Sequence, residues 1–146
     1  MALAVIVLRI VLEQAGAPEW LNNIFGVAWL YFAVPIFFAL QIHRFGDERP
    51  FRTLSLQVLL FAVYTRLMVM VTYMLAYQFQ WQAPRFHLSR GGVVGEGVTP
   101  LQGLLWIPLR NFFFWVVAAT VIGTILGGIS LKIVSKRRRN VKNDKN

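Results

Sequence analysis

From Met1 onward the chain alternates apolar runs of helix length with short polar interruptions, and it lacks the sustained two-residue alternation of a barrel strand. Four runs stand out. MALAVIVLRIVLE is short and carries Arg9 and Glu13 at i,i+4 spacing, which puts both charges on one helical face. The run from Leu21 to Ile42 has no formal charge and holds Pro35, where a bend is expected. Leu54 to Tyr77 is interrupted only by Arg66, and Leu104 to Leu131 only by Arg110. At about 1.5 Å per residue, the last three are long enough for a hydrocarbon core roughly 30 Å thick.

The pattern predicts an all-α, integral membrane helical bundle of four short transmembrane helices, or three if the N-terminal segment lies in the interface. Residues 1–139 are expected to form a single transmembrane domain and 140–146 a flexible basic tail. AGAPEW, with Gly16 and Pro18, breaks the first helix, and Trp20 opens the next run where an interfacial aromatic anchor belongs. The two remaining connections are a polar turn over 43–53 and a longer loop over 78–103. Within that loop GGVVGEG lacks both the G-x-G-x-x-G fingerprint and a phosphate loop ending in G-K, so it reads as a flexible turn.

Composition supports a membrane protein. The 146 residues are 57% hydrophobic and 14% charged, against about 25% charged in an ordinary soluble domain. Cysteine is absent, which removes disulfide, thiolate and Cys-ligated metal chemistry. The formal charge of +9 is unevenly spread. Beyond Leu131, Lys132, Lys136, Arg137, Arg138, Arg139, Lys142 and Lys145 face only Asp144. This cluster abuts a span, so it predicts a cytoplasmic C-terminus by the positive-inside bias and contact with anionic lipid, not a nucleic-acid partner. The 43–53 turn, with Arg44, Arg49 and Arg52 against Asp47 and Glu48, falls on the same side; His43 and Asp47 there stand i,i+4 but do not make a metal site.

Candidate chemistry centres on Arg66. An arginine at a helix centre costs about 2.5–3.5 kcal/mol on insertion scales, so it needs compensation. Arg66, Met70, Tyr73 and Tyr77 share one helical face, and Glu13, Gln57, backbone carbonyls or lipid are the available partners. Arg85, His87 and Arg90 outnumber Glu96 in the long loop and form a basic ring suited to a phosphate or carboxylate, with Arg110 near the same end of the last helix. The ligand-binding candidates are therefore Arg66, Tyr73, Tyr77, Arg85, His87, Arg90 and Arg110. Ala119, Gly123 and Gly127 form a small-residue stripe for close helix packing, within the chain or between copies. No metal site or cofactor is predicted.

Three functions fit this pattern. The leading expectation is an accessory or structural membrane protein that binds an anionic lipid headgroup or partner, with a homo-oligomer or larger membrane complex as its setting. The alternatives are a small transporter or channel subunit and an intramembrane lipid-modifying enzyme. The balance leans away from an enzyme, because His87 and Glu96 are joined by no nucleophile motif.

Overall fold

Each apolar run becomes helix in the computed structural model, which describes the backbone of residues 2–143 and the side chains of residues 2–136. The side chains of the basic cluster from Arg137 onward, and residues 144–146 altogether, lie outside the described residues. The chain is all-α: α1 (Ala2–Gln14), α2 (Glu19–Ile24), α3 (Leu30–Phe45), α4 (Pro50–Gln78) and α5 (Ile107–Asn143). Three stretches are long and apolar enough to cross a bilayer, Glu19–Phe45, Pro50–Gln78 and Gln102–Lys136. At 13 residues, α1 is only about 20 Å long.

The expected single helix from Leu21 to Ile42 is interrupted. α2 ends at Ile24, Phe25 and Gly26 leave the helix, and Val27–Trp29 forms a 3-10 turn before α3 begins. The backbone of Asn23 closes the break, and the Asn22 side chain fixes the start of α2. The Asn22 amide donates back to the Ala17 carbonyl at 3.0 Å, and the Asn23 carbonyl accepts from the Gly26 N–H at 3.1 Å and from the Trp29 indole at 3.3 Å.

The chain divides into two compact units. The first comprises Met1–Trp29 and Val63–Val116. Its core gathers Ala76, Ala83, Phe86, Val93, Val94 and Ile107, with Tyr73, Tyr77, Trp81 and Val98 packed against them. The glycine-rich segment expected to be a flexible turn is thus a folded part of this core. Val94 N–H donates to the Phe86 carbonyl and Leu88 N–H to the Val94 carbonyl, both at 2.7 Å. Gly92 lies so close to the Phe86 backbone that any Cβ would overlap it. Glycine serves there for close approach, and burial of Val93 and Val94 holds the segment in place.

In the same unit the turn entering α5 widens into a π-helix over Gln102–Trp106. Pro108 follows two residues after its end; without an N–H it cannot donate to the carbonyl four residues back, and the register relaxes ahead of it. Gly103, inside this turn, meets the Tyr77 ring, which leaves no room for a side chain.

The second unit comprises Leu30–Ala62 and Val117–Asn146. Ala39, Ile42, Leu54, Val58 and Leu131 form its core, with Phe38 alongside. Ala119 is buried, and Gly123 and Gly127 face neighbouring helices of this unit. A Cβ on Gly123 would lie 2.7 Å from Val58 Cγ1 and 2.9 Å from Pro35 Cγ; one on Gly127 would lie 2.9 Å from Leu54 and from the Pro35 carbonyl. Backbone-to-side-chain approach of this kind is how helices associate where lipid gives no hydrophobic advantage to burial. Ser130 returns its hydroxyl to the Leu126 carbonyl at 2.9 Å, which satisfies its polarity inside α5. In the 43–53 turn Asp47 accepts from the Arg49 N–H at 2.7 Å, just before α4 begins. That bond and one from the Thr53 side chain hold the Asp47 carboxyl below its usual range. The contribution is present above the ordinary carboxylate range and is lost as pH falls through the lowered pKa.

Gly123→Ala should destabilise the protein by about 1–3 kcal/mol through overpacking. Gly128→Ala is the control: its nearest neighbour, Phe51, would stand at an ordinary 3.6 Å, so the change should be neutral or stabilise by up to about 1 kcal/mol through helix propensity. Unfolding titrations in mixed detergent micelles measure both.

Candidate anion-binding cleft

The site begins with a carboxylate that the membrane setting makes costly. The Glu13 side chain is 4% exposed, on the face of α1 turned toward the protein. Two arginines compensate it. Arg9, one turn earlier on α1, places Nε 2.8 Å from Oε1, and Arg85, from the long loop, places Nε 2.9 Å from Oε2. The first contact is a well-formed hydrogen bond; the second is close but poorly aligned and acts as an ion pair. The two guanidinium side chains are themselves largely covered, at 18% and 19% exposure.

Arg85 is held on a second side by aromatics. Its Cζ stands 4.3 Å from the centroid of the buried Phe86 ring. Phe86 in turn packs edge-on against Tyr73 at 5.2 Å and Trp81 at 5.6 Å. Burial pushes the Arg85 guanidinium below its ordinary pKa, with the Glu13 charge pulling it back up. It stays cationic throughout the physiological range, as arginine does. Its Nη2 has no hydrogen-bond acceptor among the described residues.

Both arginines of the triad border a cleft of about 320 Å³, lined by Arg9, Glu19, Asn22, Tyr73, Arg85 and Arg90. That volume is at the lower end of small-ligand sites. Arg90 pairs with Glu19, and both are more than half exposed, so this pair contributes little to stability. Three arginines and Glu19 line the cleft, and Glu13, paired to Arg9 and Arg85 outside the lining, brings the group to one net positive charge.

The sequence-predicted residues divide accordingly. Tyr73, Arg85 and Arg90 come together here. Arg66 does not line this cleft: its Cζ lies 4.7 Å from the Trp115 ring, and it borders a smaller cavity of about 30 Å³ with Met70, Tyr73, Asn111 and Trp115. That space holds a water molecule or two, and Tyr73 borders both spaces. Glu13, weighed as a partner of Arg66, is engaged by Arg9 and Arg85. Tyr77 packs on Gly103 and donates to the Val98 carbonyl at 3.4 Å. The His87 ring sits 3.0 Å from the Gln82 carbonyl, and exposed Arg110 borders a separate cleft with Gly91, Gly97 and Trp106. Among the described residues no three His, Asp or Glu side chains converge as metal ligands would.

Sequence reasoning missed Arg9, Glu19 and Asn22 as cleft residues. The signal was available in part: two adjacent asparagines in an apolar run, just after a charged pair at helical spacing, mark a polar interruption that a plain membrane span does not need. Compared with family models, curated proteins and solved structures, the chain matches none.

Glu13→Gln leaves two partly buried guanidiniums without their counter-charge, and breaking a buried pair of this kind costs about 3 kcal/mol. The expected outcome is a matching loss of stability in detergent unfolding, whereas Glu19→Gln, on the exposed pair, should change it by less than about 1 kcal/mol.

Proposed function

We propose that this is a small polytopic membrane protein that holds a lipid by its anionic headgroup in the cleft beside Arg9, Arg85 and Arg90, in an accessory and not a catalytic role. The observation that carries this reading is Arg85, fixed between the Glu13 carboxylate and the Phe86 ring, with Nη2 unspent, on the wall of a cleft with net positive charge. A guanidinium oriented in advance gives up little conformational freedom when it meets a phosphate, and its planar fork suits two oxygens. Tyr73 adds a hydroxyl at the cleft wall. Arg66, with Trp115, supports the helix pair behind it.

The topology that accompanies this reading places the C-terminus and the 43–53 turn in the cytoplasm and the 78–103 loop, with the cleft, at the opposite headgroup layer. Three helices cross, and α1 is embedded as a fourth, short membrane segment. Its exposed side chains Leu3, Val7, Leu8 and Val11 are apolar and the exposed polar Gln14 comes only at its last residue, which suits a segment set in hydrocarbon with its end at an interface. Tryptophan distribution agrees, since Trp20, Trp29, Trp81, Trp106 and Trp115 all fall within residues 1–29 and 63–116.

Native mass spectrometry from nanodiscs of phosphatidylcholine with a minor fraction of phosphatidylglycerol tests the binding. Wild type should retain the anionic lipid; Arg90→Gln and the charge-conserving Arg85→Lys should each lower retention severalfold with helix content unchanged. Equal retention by all three chains would sink the reading. Topology is checked separately, because the chain has no native cysteine. Single cysteines replacing Ser89 and Ser135 should label with a membrane-impermeant maleimide from opposite sides of sealed vesicles.

A further inference from the structure

A residue lining the cleft carries a second unspent polar atom, and its chemistry is opposite to that of Arg85. Asn22 is 7% exposed and lines the cleft. Its orientation is fixed by its partner: the Ala17 carbonyl can only accept, so the amide NH2 must face it, as the 3.0 Å bond records. The other end of the amide, Oδ1, is buried and has no donor among the described residues. Leaving a buried carbonyl oxygen without a donor costs about 1–3 kcal/mol, which a group supplying one would recover once a small side-chain movement uncovers the atom.

Arg85 Nη2 lacks an acceptor and Asn22 Oδ1 lacks a donor, and they are not hydrogen-bonded to each other. A group that satisfies both must present an anionic acceptor at one end and a hydrogen-bond donor at the other. Charge narrows the choice. The cleft has one net positive charge because Glu13 and Glu19 cancel two of its three arginines. That matches a phosphodiester, with one negative charge, better than a phosphomonoester, which approaches two. A donor that adds no charge keeps the match, and a hydroxyl does so where an ammonium does not.

We infer that the cleft selects a phosphodiester whose alcohol carries a free hydroxyl, of the phosphoglycerol type, with the phosphate on Arg85 and Arg9 and the hydroxyl on Asn22. The inference rests on the headgroup reading above and specifies it. The same chemistry occurs in a membrane lipid and in a water-soluble glycerophosphodiester.

The test compares two lipids of equal charge, one whose headgroup alcohol carries free hydroxyls and one whose does not, phosphatidylglycerol and phosphatidylmethanol, each as the minor component of phosphatidylcholine nanodiscs containing the full chain. Native mass spectrometry of wild type should show roughly tenfold greater retention of phosphatidylglycerol, the scale of one neutral hydrogen bond to a buried acceptor. Asn22→Leu should abolish the difference and leave phosphatidylmethanol retention unchanged. The wild-type comparison stands by itself should that variant fail to fold. Equal retention of the two lipids, both above phosphatidylcholine, would overturn the hydroxyl inference and leave the headgroup reading in place; retention of neither above phosphatidylcholine would overturn both. Millimolar glycerophosphoglycerol distinguishes the sources: displacement of the lipid assigns a soluble diester, persistence of the lipid assigns the membrane, and either result keeps the chemistry.

Discussion

The buried carboxylate of Glu13 constrains this protein more than any other group. A carboxylate that is almost fully covered persists only if cations stand beside it, and here one comes from its own helix and one from a loop distant in sequence. The pairing does two things at once. It compensates the covered charge that α1 carries, and it ties that helix to the segment after α4. An apolar residue of similar size at position 13 would remove the desolvation cost. It would also remove what orients Arg85, which is why we read the triad as an arrangement for positioning a cation more than as a source of stability.

Around that pairing, two ways of packing are at work. In the unit with Leu30–Ala62, close approach comes from absent side chains, with Gly123 and Gly127 set against Pro35, Leu54 and Val58. In the unit with Val63–Val116, large rings dominate, and Phe86 is enclosed by Tyr73 and Trp81 while Arg85 lies on its face. The first arrangement suits segments flanked by lipid, where van der Waals contact supplies the attraction. The second suits an interfacial layer, where amphipathic rings cover polar groups.

The helical class and the three crossing segments were legible in the sequence because hydrocarbon thickness and backbone hydrogen bonding leave few other solutions for runs of that length. Two features were not. The break between α2 and α3 closes on the Asn23 carbonyl, which accepts from Gly26 and Trp29, a weak local signal inside a strong apolar one. The folded GGVVGEG segment depends on Phe86 reaching Val93 and Val94, and glycine content by itself points to a loose turn. The candidate site was half legible. Tyr73, Arg85 and Arg90 were recognisable as basic or polar residues near one membrane face, but their grouping with Arg9 requires the long-range pairing to Glu13. Arg66, the most conspicuous residue by insertion cost, turns out to lie over Trp115 beside a space too small for a headgroup.

The uneven placement of two residue types has a practical consequence. Every tryptophan belongs to the unit of residues 1–29 and 63–116, and all four lysines, Lys132, Lys136, Lys142 and Lys145, follow residue 117 in sequence, where the second segment of the other unit begins. Intrinsic emission therefore reports on one unit alone, and amine-reactive labels attach, apart from the chain's own amino terminus, to the other. The wild-type chain carries two built-in and spectrally separable reporters, so loosening of the ring-packed unit and of the glycine-packed unit can be followed independently without altering a residue.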